Sequence, residues 1–432
     1  MFNKCDMCLT NVIWCLINVI WCLYILNIAI YYNMILYTIT PILGALRNYV
    51  KYKDFKYLIF IKTPISYFFI HKLLMLIKCN NIILYAINII LYAINIILYV
   101  INKYMERIRD TKYLYKLSSL LKKHYTKPNI KFKTSKETFN IESKFISPNI
   151  MTSISEYNKV YECDLPDIRC IIFTKKLTPK LKSDIQLIIN RFCTMLKFLK
   201  YHKISFNTDK FTFIYISTDH KKIFPNQNKI LGSNEVNSGM SYIYKNKIYI
   251  WREEEFLKVF LHELFHCLGF DRFLIEDKCE LKKYFNINNH LACNEGYNEL
   301  CAIIYHCCFL SIENNKYNVV DLIEKNRVFT LYQIKQILQY YNLRTLNNTD
   351  LFQQNTGIFS YFILKGFYLF HMNDLIELTK IDTFYFFPIN HFKRFKFYEK
   401  ACLNNKSFYK VINKLIETFK YKSNNTLRMT IN

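Results

Sequence analysis

Apolar residues follow two arrangements along this chain, and the change between them divides it. From Met7 to Leu46 there is no Asp, Glu, Lys or Arg, a run longer than the roughly 20 apolar residues a membrane-crossing helix needs. A membrane helix is expected over about 12–32, with Pro41 and Gly44 ending the apolar stretch. A second uncharged run, Cys79 to Asn102, is also long enough, with its span at about 80–101. Between them the chain is apolar but broken by Lys62, Pro64, His71 and Lys72, which suits an interfacial or re-entrant segment. A secretory signal would show a basic start and a shorter apolar core, so the first run reads as an anchor.

Beyond residue 102 the spacing becomes that of a packed protein. Residues 103–160 are Lys-rich and weakly periodic, with Pro128 and Pro148 as breakers, and read as a basic connector. From Tyr161 the pattern sharpens. "LTPKLKSDIQLIINRFCTMLKFLKYH" has helical spacing of Leu, Ile and Phe, and "KFTFIYIST" alternates as a strand does. "SGMSYIYKNKIYIWR" holds two alternating runs around Lys245-Asn246 and predicts a hairpin with Ser238 to Tyr244 as an edge strand. The helix after it opens with Glu253, Glu254 and Glu255, suited to the positive end of the helix dipole, and stops at Gly269. Leu300, Ile303, Ile304 and Cys307 predict a further helix. From Val320 to Asn432 aromatic and aliphatic residues recur at i, i+3 and i+4, the mark of packed helices. The organisation is α+β: a membrane region (1–102), a connector (103–160), a mixed domain (161–310) and a helical C-terminal lobe (311–432).

Composition adds little to function. The chain is skewed toward Ile, Asn, Lys, Tyr and Phe while Gly numbers only 7 and Pro 8, the set that AT-rich codons supply. The net charge of +26 would suggest nucleic acid or an anionic membrane, but the lysines are scattered and no nucleic-acid-binding signature accompanies them, so no specific nucleic-acid partner is expected. Fifteen Cys lie singly or in apolar runs without a disulfide framework, and reduced thiols in a cytosol-like compartment are the expectation. The repeat "NIILYAI" sets Asn81, Asn88, Asn95 and Asn102 on one stripe, where amides can bond between helices in lipid and favour self-association. Replication slippage accounts for the same repeat. Basic residues flank both spans, so topology stays open.

The chemistry lies in "FLHELFHCLGF". His262 and His266 stand four apart, so both rings leave one face of a helix and reach one metal ion, with Glu263 beside them. Two ligands do not make a catalytic zinc site, which keeps three and leaves a position for water. "ACNEGYNELCAIIYHC" offers the third: Glu295 and Glu299 share a helix face, one to bind metal and the other to hold a ligand His. Either order is allowed by spacing alone. His290 and Cys293 lie close by and read as a loop residue and a buried thiol.

"HELFH" followed by "NEGYNE" resembles the zincin metallopeptidases, in the branch whose third ligand is Glu. The resemblance covers roughly Phe211 to Leu310. It implies His262, His266 and Glu295 as ligands of one Zn²⁺ per chain, Glu263 as general base and Glu299 as the carboxylate behind a ligand His. It also implies a zincin-like domain with a small mixed sheet, and hydrolysis of a peptide or protein substrate by a zinc-activated water, with a Tyr or His donor for the oxyanion. Tyr297, Tyr305, His306 and His371 are the candidates for that donor.

Three departures qualify the likeness. The interval from His266 to Glu295 implies an inserted loop; Arg272 stands where the metzincin branch has its third ligand, with Asp271 one residue out of register; and "SGMSY" lacks the aminopeptidase G-x-M-E-N pattern, which favours an endopeptidase. AT-rich composition with these motifs resembles proteins of large DNA viruses. Rival readings are an inactive zincin-like binding scaffold and a membrane-assembly protein whose HExxH is accidental.

Overall fold

Strand alternation sets the architecture. In the computed structural model six strands form one sheet in the order β1-β2-β3-β4-β6-β5. They are β1 (Lys133–Thr134), β2 (Lys159–Asp164), β3 (Ile168–Thr174), β4 (Phe211–Ile216), β5 (Gly239–Tyr242) and β6 (Lys247–Ile250). β3, β4 and β6 are parallel, whereas β1, β2 and β5 run against their neighbours. The structure describes residues 112–430 except 140–142, 144, 158, 226–228, 272–280, 288–290, 344, 347–351, 379–406 and 419–425. These belong to the second of two units, Met1–Ile101 and Asn102–Asn432.

Successive strand residues face opposite sides. Cys170, Ile172, Phe213, Tyr215, Ile248 and Ile250 enter the main core, while Ile171, Phe173, Ile214, Ile216, Tyr249 and Trp251 enter a smaller one. Helix α1 (Pro148–Ser155) closes the smaller core with Ile150 and Ile154. Helix α2 (Pro179–Tyr201) makes the crossover from β3 to β4 and buries Ile185, Ile189, Phe192 and Leu199 in the main core. Its start is set by Pro179 and by the Thr178 hydroxyl, which accepts from the Leu181 N–H at 3.1 Å.

Helix α3 (Ser233–Val236) precedes β5, and helix α4 (Phe256–Leu268) follows β6. α4 starts after the three glutamates rather than with them: Glu255 sits at its N-cap with φ 59°. Gly269 ends it with φ 76°, a left-handed conformation that glycine adopts without strain. Across from α4 lies helix α5 (Cys293–Glu313). The C-terminal lobe adds α6 (Val319–Tyr340), a π-helical turn (Phe359–Leu364) running into α7 (Lys365–Phe370), and α8 (Ser407–Thr418). The described part is thus mixed, with a small sheet and a helical C-terminal lobe, consistent with α+β.

Much of the stretch read as a connector contributes to this fold. A helical stretch over 112–124 buries Leu114, Leu117 and Leu121 at spacings of three and four, while Lys112, Lys116, Lys122 and Lys123 face out. β1 and α1 follow within the same stretch. Among the described residues no helix is long and apolar enough to cross a membrane; both expected spans and the Asn stripe lie outside the described residues, as does His290. Cys293 is disulfide-bonded, not a free thiol, whereas the other described cysteines are free and mostly buried.

Candidate metal centre

α4 is apolar on nearly every side, and all its residues but Leu257 are buried. A helix so enclosed can carry polar side chains only where partners meet them. Lys258, His262, Glu263 and His266 are those side chains, and each has a partner. Gly296 lets α5 and the π turn close together, since a Cβ there would lie 2.8 Å from Leu364 Cγ.

His262, His266 and Glu295 form a cluster that could hold a metal ion. His262 Nε2 lies 3.2 Å from Glu295 Oε2, His266 Nε2 lies 3.3 Å from the same oxygen, and the two Nε2 atoms are 3.1 Å apart. Donors at 2.0 to 2.1 Å from a tetrahedral ion stand about 3.3 to 3.4 Å from one another. The three atoms therefore fit a small tetrahedral cation with almost no movement.

Each imidazole is also held from behind. His266 Nδ1 is 2.7 Å from Asp271 Oδ2, which in turn accepts from Asn294 Nδ2 at 3.1 Å. His262 Nδ1 is 3.0 Å from Glu299 Oε1, a charge contact whose alignment falls short of a straight hydrogen bond. Lys258 Nζ donates to both Glu299 oxygens, at 2.7 and 2.6 Å. Carboxylates behind Nδ1 leave Nε2 free to face a metal.

Electrostatics point the same way. Burial opposes charge on His262, but Glu299 and Glu295 outweigh it and hold its pKa up at about 9. Burial likewise opposes charge on His266, and Asp271 and Glu295 push it well up. Glu295 is held well below the usual carboxylate range: burial works against its charge, and the two rings outweigh burial. Glu299 is held low in the same manner, against burial, by Lys258 and His262. The same carboxylates that favour positive charge on the rings would favour a cation between them.

Glu263 faces the seam between α4 and β5. Its Oε1 lies 3.0 Å from the position a Gly239 Cβ would take, and Ser241 on the same strand is close enough to favour its charged form. Burial raises its pKa, with His262 and His266 opposing. The His262 and His266 side chains are only 7% and 9% exposed, against 23% for the Glu295 side chain, so the cluster is reached from the Glu295 side.

None of the four oxyanion-donor candidates lies in this cluster. Tyr297 and Tyr305 pack in the core, His306 Nδ1 meets Arg191 Nη1 at 2.9 Å, and His371 Nδ1 meets Asp374 Oδ2 at 2.9 Å. The tyrosine that does approach is Tyr361, whose ring centre is 6.3 Å from that of His262. Burial, then Glu295, Glu263 and Glu299, raise its pKa well above 10, so it remains a hydroxyl donor. Asp271 was visible in the sequence only as a misplaced metzincin ligand, and nothing local marks Tyr361.

The chain is similar to "Uncharacterized protein R210" of Acanthamoeba polyphaga mimivirus, with 26% identity over 245 residues, 50% of this chain and 60% of that protein. The match gives the chain a viral relative and spans less than two thirds of that relative's length. No family model matches the chain, and no solved structure matches it.

Proposed function

We propose that this protein is a zinc-dependent peptide hydrolase, anchored to a membrane through its N-terminal region, of the zincin type with a Glu third ligand. The observation that carries the reading is the triangle of His262 Nε2, His266 Nε2 and Glu295 Oε2, with edges of 3.1 to 3.3 Å and a carboxylate behind each ring. Two nitrogens and one carboxylate oxygen suit zinc, and three protein donors leave a fourth position for water or substrate. A bound zinc ion would polarise the substrate carbonyl and bring the pKa of water toward neutrality.

The chain's own groups then do the rest. Glu263, poised by burial toward a higher pKa, takes the proton of the attacking water and passes it to the amide nitrogen as the C–N bond breaks. A carboxylic acid and an amine leave. Tyr361, kept protonated, donates to the oxyanion that forms at the carbonyl carbon.

The test is the full chain loaded with zinc and given a mixture of unstructured peptides. Glu263→Gln is expected to keep its metal and lose hydrolysis by at least a hundredfold. Hydrolysis at the wild-type rate in Glu263→Gln would remove the mechanism. A wild-type chain that holds zinc and cuts nothing would favour a binding scaffold.

A further inference from the structure

The reacting centre sits opposite Gly239 and Ser241 of β5, the last strand of the sheet. An extended peptide laid beside β5 would advance about 3.3 Å per residue. What stands at the two ends of β5 therefore decides how much chain can extend on each side of the cut bond.

One end is walled. Asn237, two residues before Gly239, is fixed through its carbonyl, which accepts from Trp251 Nε1 at 3.1 Å and from Arg252 Nε at 2.8 Å. The buried Arg252 also donates to Lys221 O at 2.8 Å and to Asn234 O, so this corner is rigid. Across it comes the C-terminal lobe. Thr356 Oγ1 is 3.2 Å from Asn237 Oδ1, the Asn355 N–H donates to Leu231 O at 3.0 Å, and the Asn355 Cβ lies 3.4 Å from where a Gly232 Cβ would be. Tyr341 and Tyr340 hydroxyls tie the same corner, meeting Leu231 N at 3.1 Å and Lys229 O at 2.7 Å. Tyr361, five residues on from Thr356, stands beside His262 with ring centres 6.3 Å apart, so one segment runs from the wall to the metal cluster. At the other end of β5, Tyr242 and Tyr244 are 39% and 94% exposed, while Ser143 and Phe145 meet the strand at Met240 and Asn237, on the walled half.

We propose that the path of a peptide beside β5 is closed at Asn237 by Asn355 and Thr356, so that the enzyme trims peptides from a chain end, removing about one or two residues at a time, and does not cut within long chains. This rests on the peptidase reading above. It differs from the endopeptidase expectation drawn from the missing G-x-M-E-N pattern, in that the limit comes from the wall and not from a charged group that holds a terminus. The spacing from Gly239 to Asn237, about 7 Å, leaves room for that number of residues. Asn355 and Thr356 present neutral amide and hydroxyl groups, and the charged Arg252 and Glu235 of the corner are engaged with backbone groups, so length is what the wall senses.

The experiment is product analysis by mass spectrometry after the zinc-loaded full chain meets unstructured peptides of about 20 residues, free or blocked at each end. A ladder shortened from one and the same end is expected. Internal fragments longer than three residues on both sides would overturn the proposal while leaving the peptidase reading intact. Absence of any product would remove both. A binding readout runs beside it in Glu263→Gln: extending a labelled peptide by five residues toward the wall should weaken its anisotropy-measured affinity at least tenfold, and extension the other way should not. In the Asn355→Gly, Thr356→Gly double variant that penalty should fall to under threefold; equal tolerance of both extensions in the Glu263→Gln parent would refute the wall.

Discussion

Replacing Gly239 with alanine probes the seam that aims Glu263. The added Cβ would stand 2.9 Å from Val259 Cγ1, 3.0 Å from Glu263 Oε1 and 3.0 Å from Tyr249 O, where ordinary contact begins at 3.4 Å. Tyr249 O is backbone of the neighbouring strand β6, so α4 and its side chains must yield by about 0.4 Å. Overpacking of this kind costs about 1 to 3 kcal/mol of stability. A misplacement of about 1 Å costs roughly a hundredfold in rate, so a shift of about 0.4 Å costs about sixfold in kcat. The ligand triangle does not touch Gly239, and zinc content should hold at the wild-type level. Steady-state kinetics, zinc per chain and a thermal melt on the same preparation give the three readings. Unchanged kcat with a lowered melting temperature would show that Glu263 is not positioned by this strand; loss of zinc would show that the seam supports the ligands instead.

Further outcomes follow from the surrounding contacts. Asp271→Asn, which weakens the carboxylate behind His266, should lower zinc affinity about 10- to 100-fold in a chelator competition, leaving the fold intact. Tyr361→Phe should cut kcat about 100-fold or more with KM and zinc content unchanged, and a drop under threefold would exclude it as the oxyanion donor. Glu255 pairs with Lys222 at 2.9 Å and accepts from the Met429 N–H at 2.6 Å; despite burial, Lys222 and Lys258 bring its pKa from 4.5 down to about 2. A folded-state pKa below the unfolded one stabilises at neutral pH and is lost as pH falls from 4.5 through about 2, a contribution on the order of 3 kcal/mol. Glu255→Gln should therefore lower stability at pH 7 and flatten the fall in unfolding free energy across that acid window, as read by urea titration.

Local spacing carried part of this site and long-range packing carried the rest. His262, Glu263 and His266 are one helical turn, and Glu295 and Glu299 another, so their pairings could be read from intervals of three and four. Asp271 reaches His266 only because Gly269 reverses the chain at φ 76°, a contact no periodic pattern displays. Lys258 gave a usable signal: one turn before His262, on a helix apolar all round, a lysine has to be buried and paired, as it is with Glu299. Tyr361 lies within the aromatic run "GIFSYFILKGFYLF", where spacing cannot tell a site residue from core. The basic stretch after residue 102 hid its role because exposed lysines masked the spacing of Leu114, Leu117 and Leu121.

Metal analysis of the purified full chain, with single substitutions at each donor, tests the central claim most directly. Zinc per chain measured by inductively coupled plasma mass spectrometry should be one for the wild type and near zero for His262→Ala, His266→Ala and Glu295→Ala, with far-ultraviolet circular dichroism unchanged. A folded wild-type chain that binds no zinc, or a Glu295→Ala chain that binds it as tightly as wild type, would contradict the convergence of these three side chains on one ion.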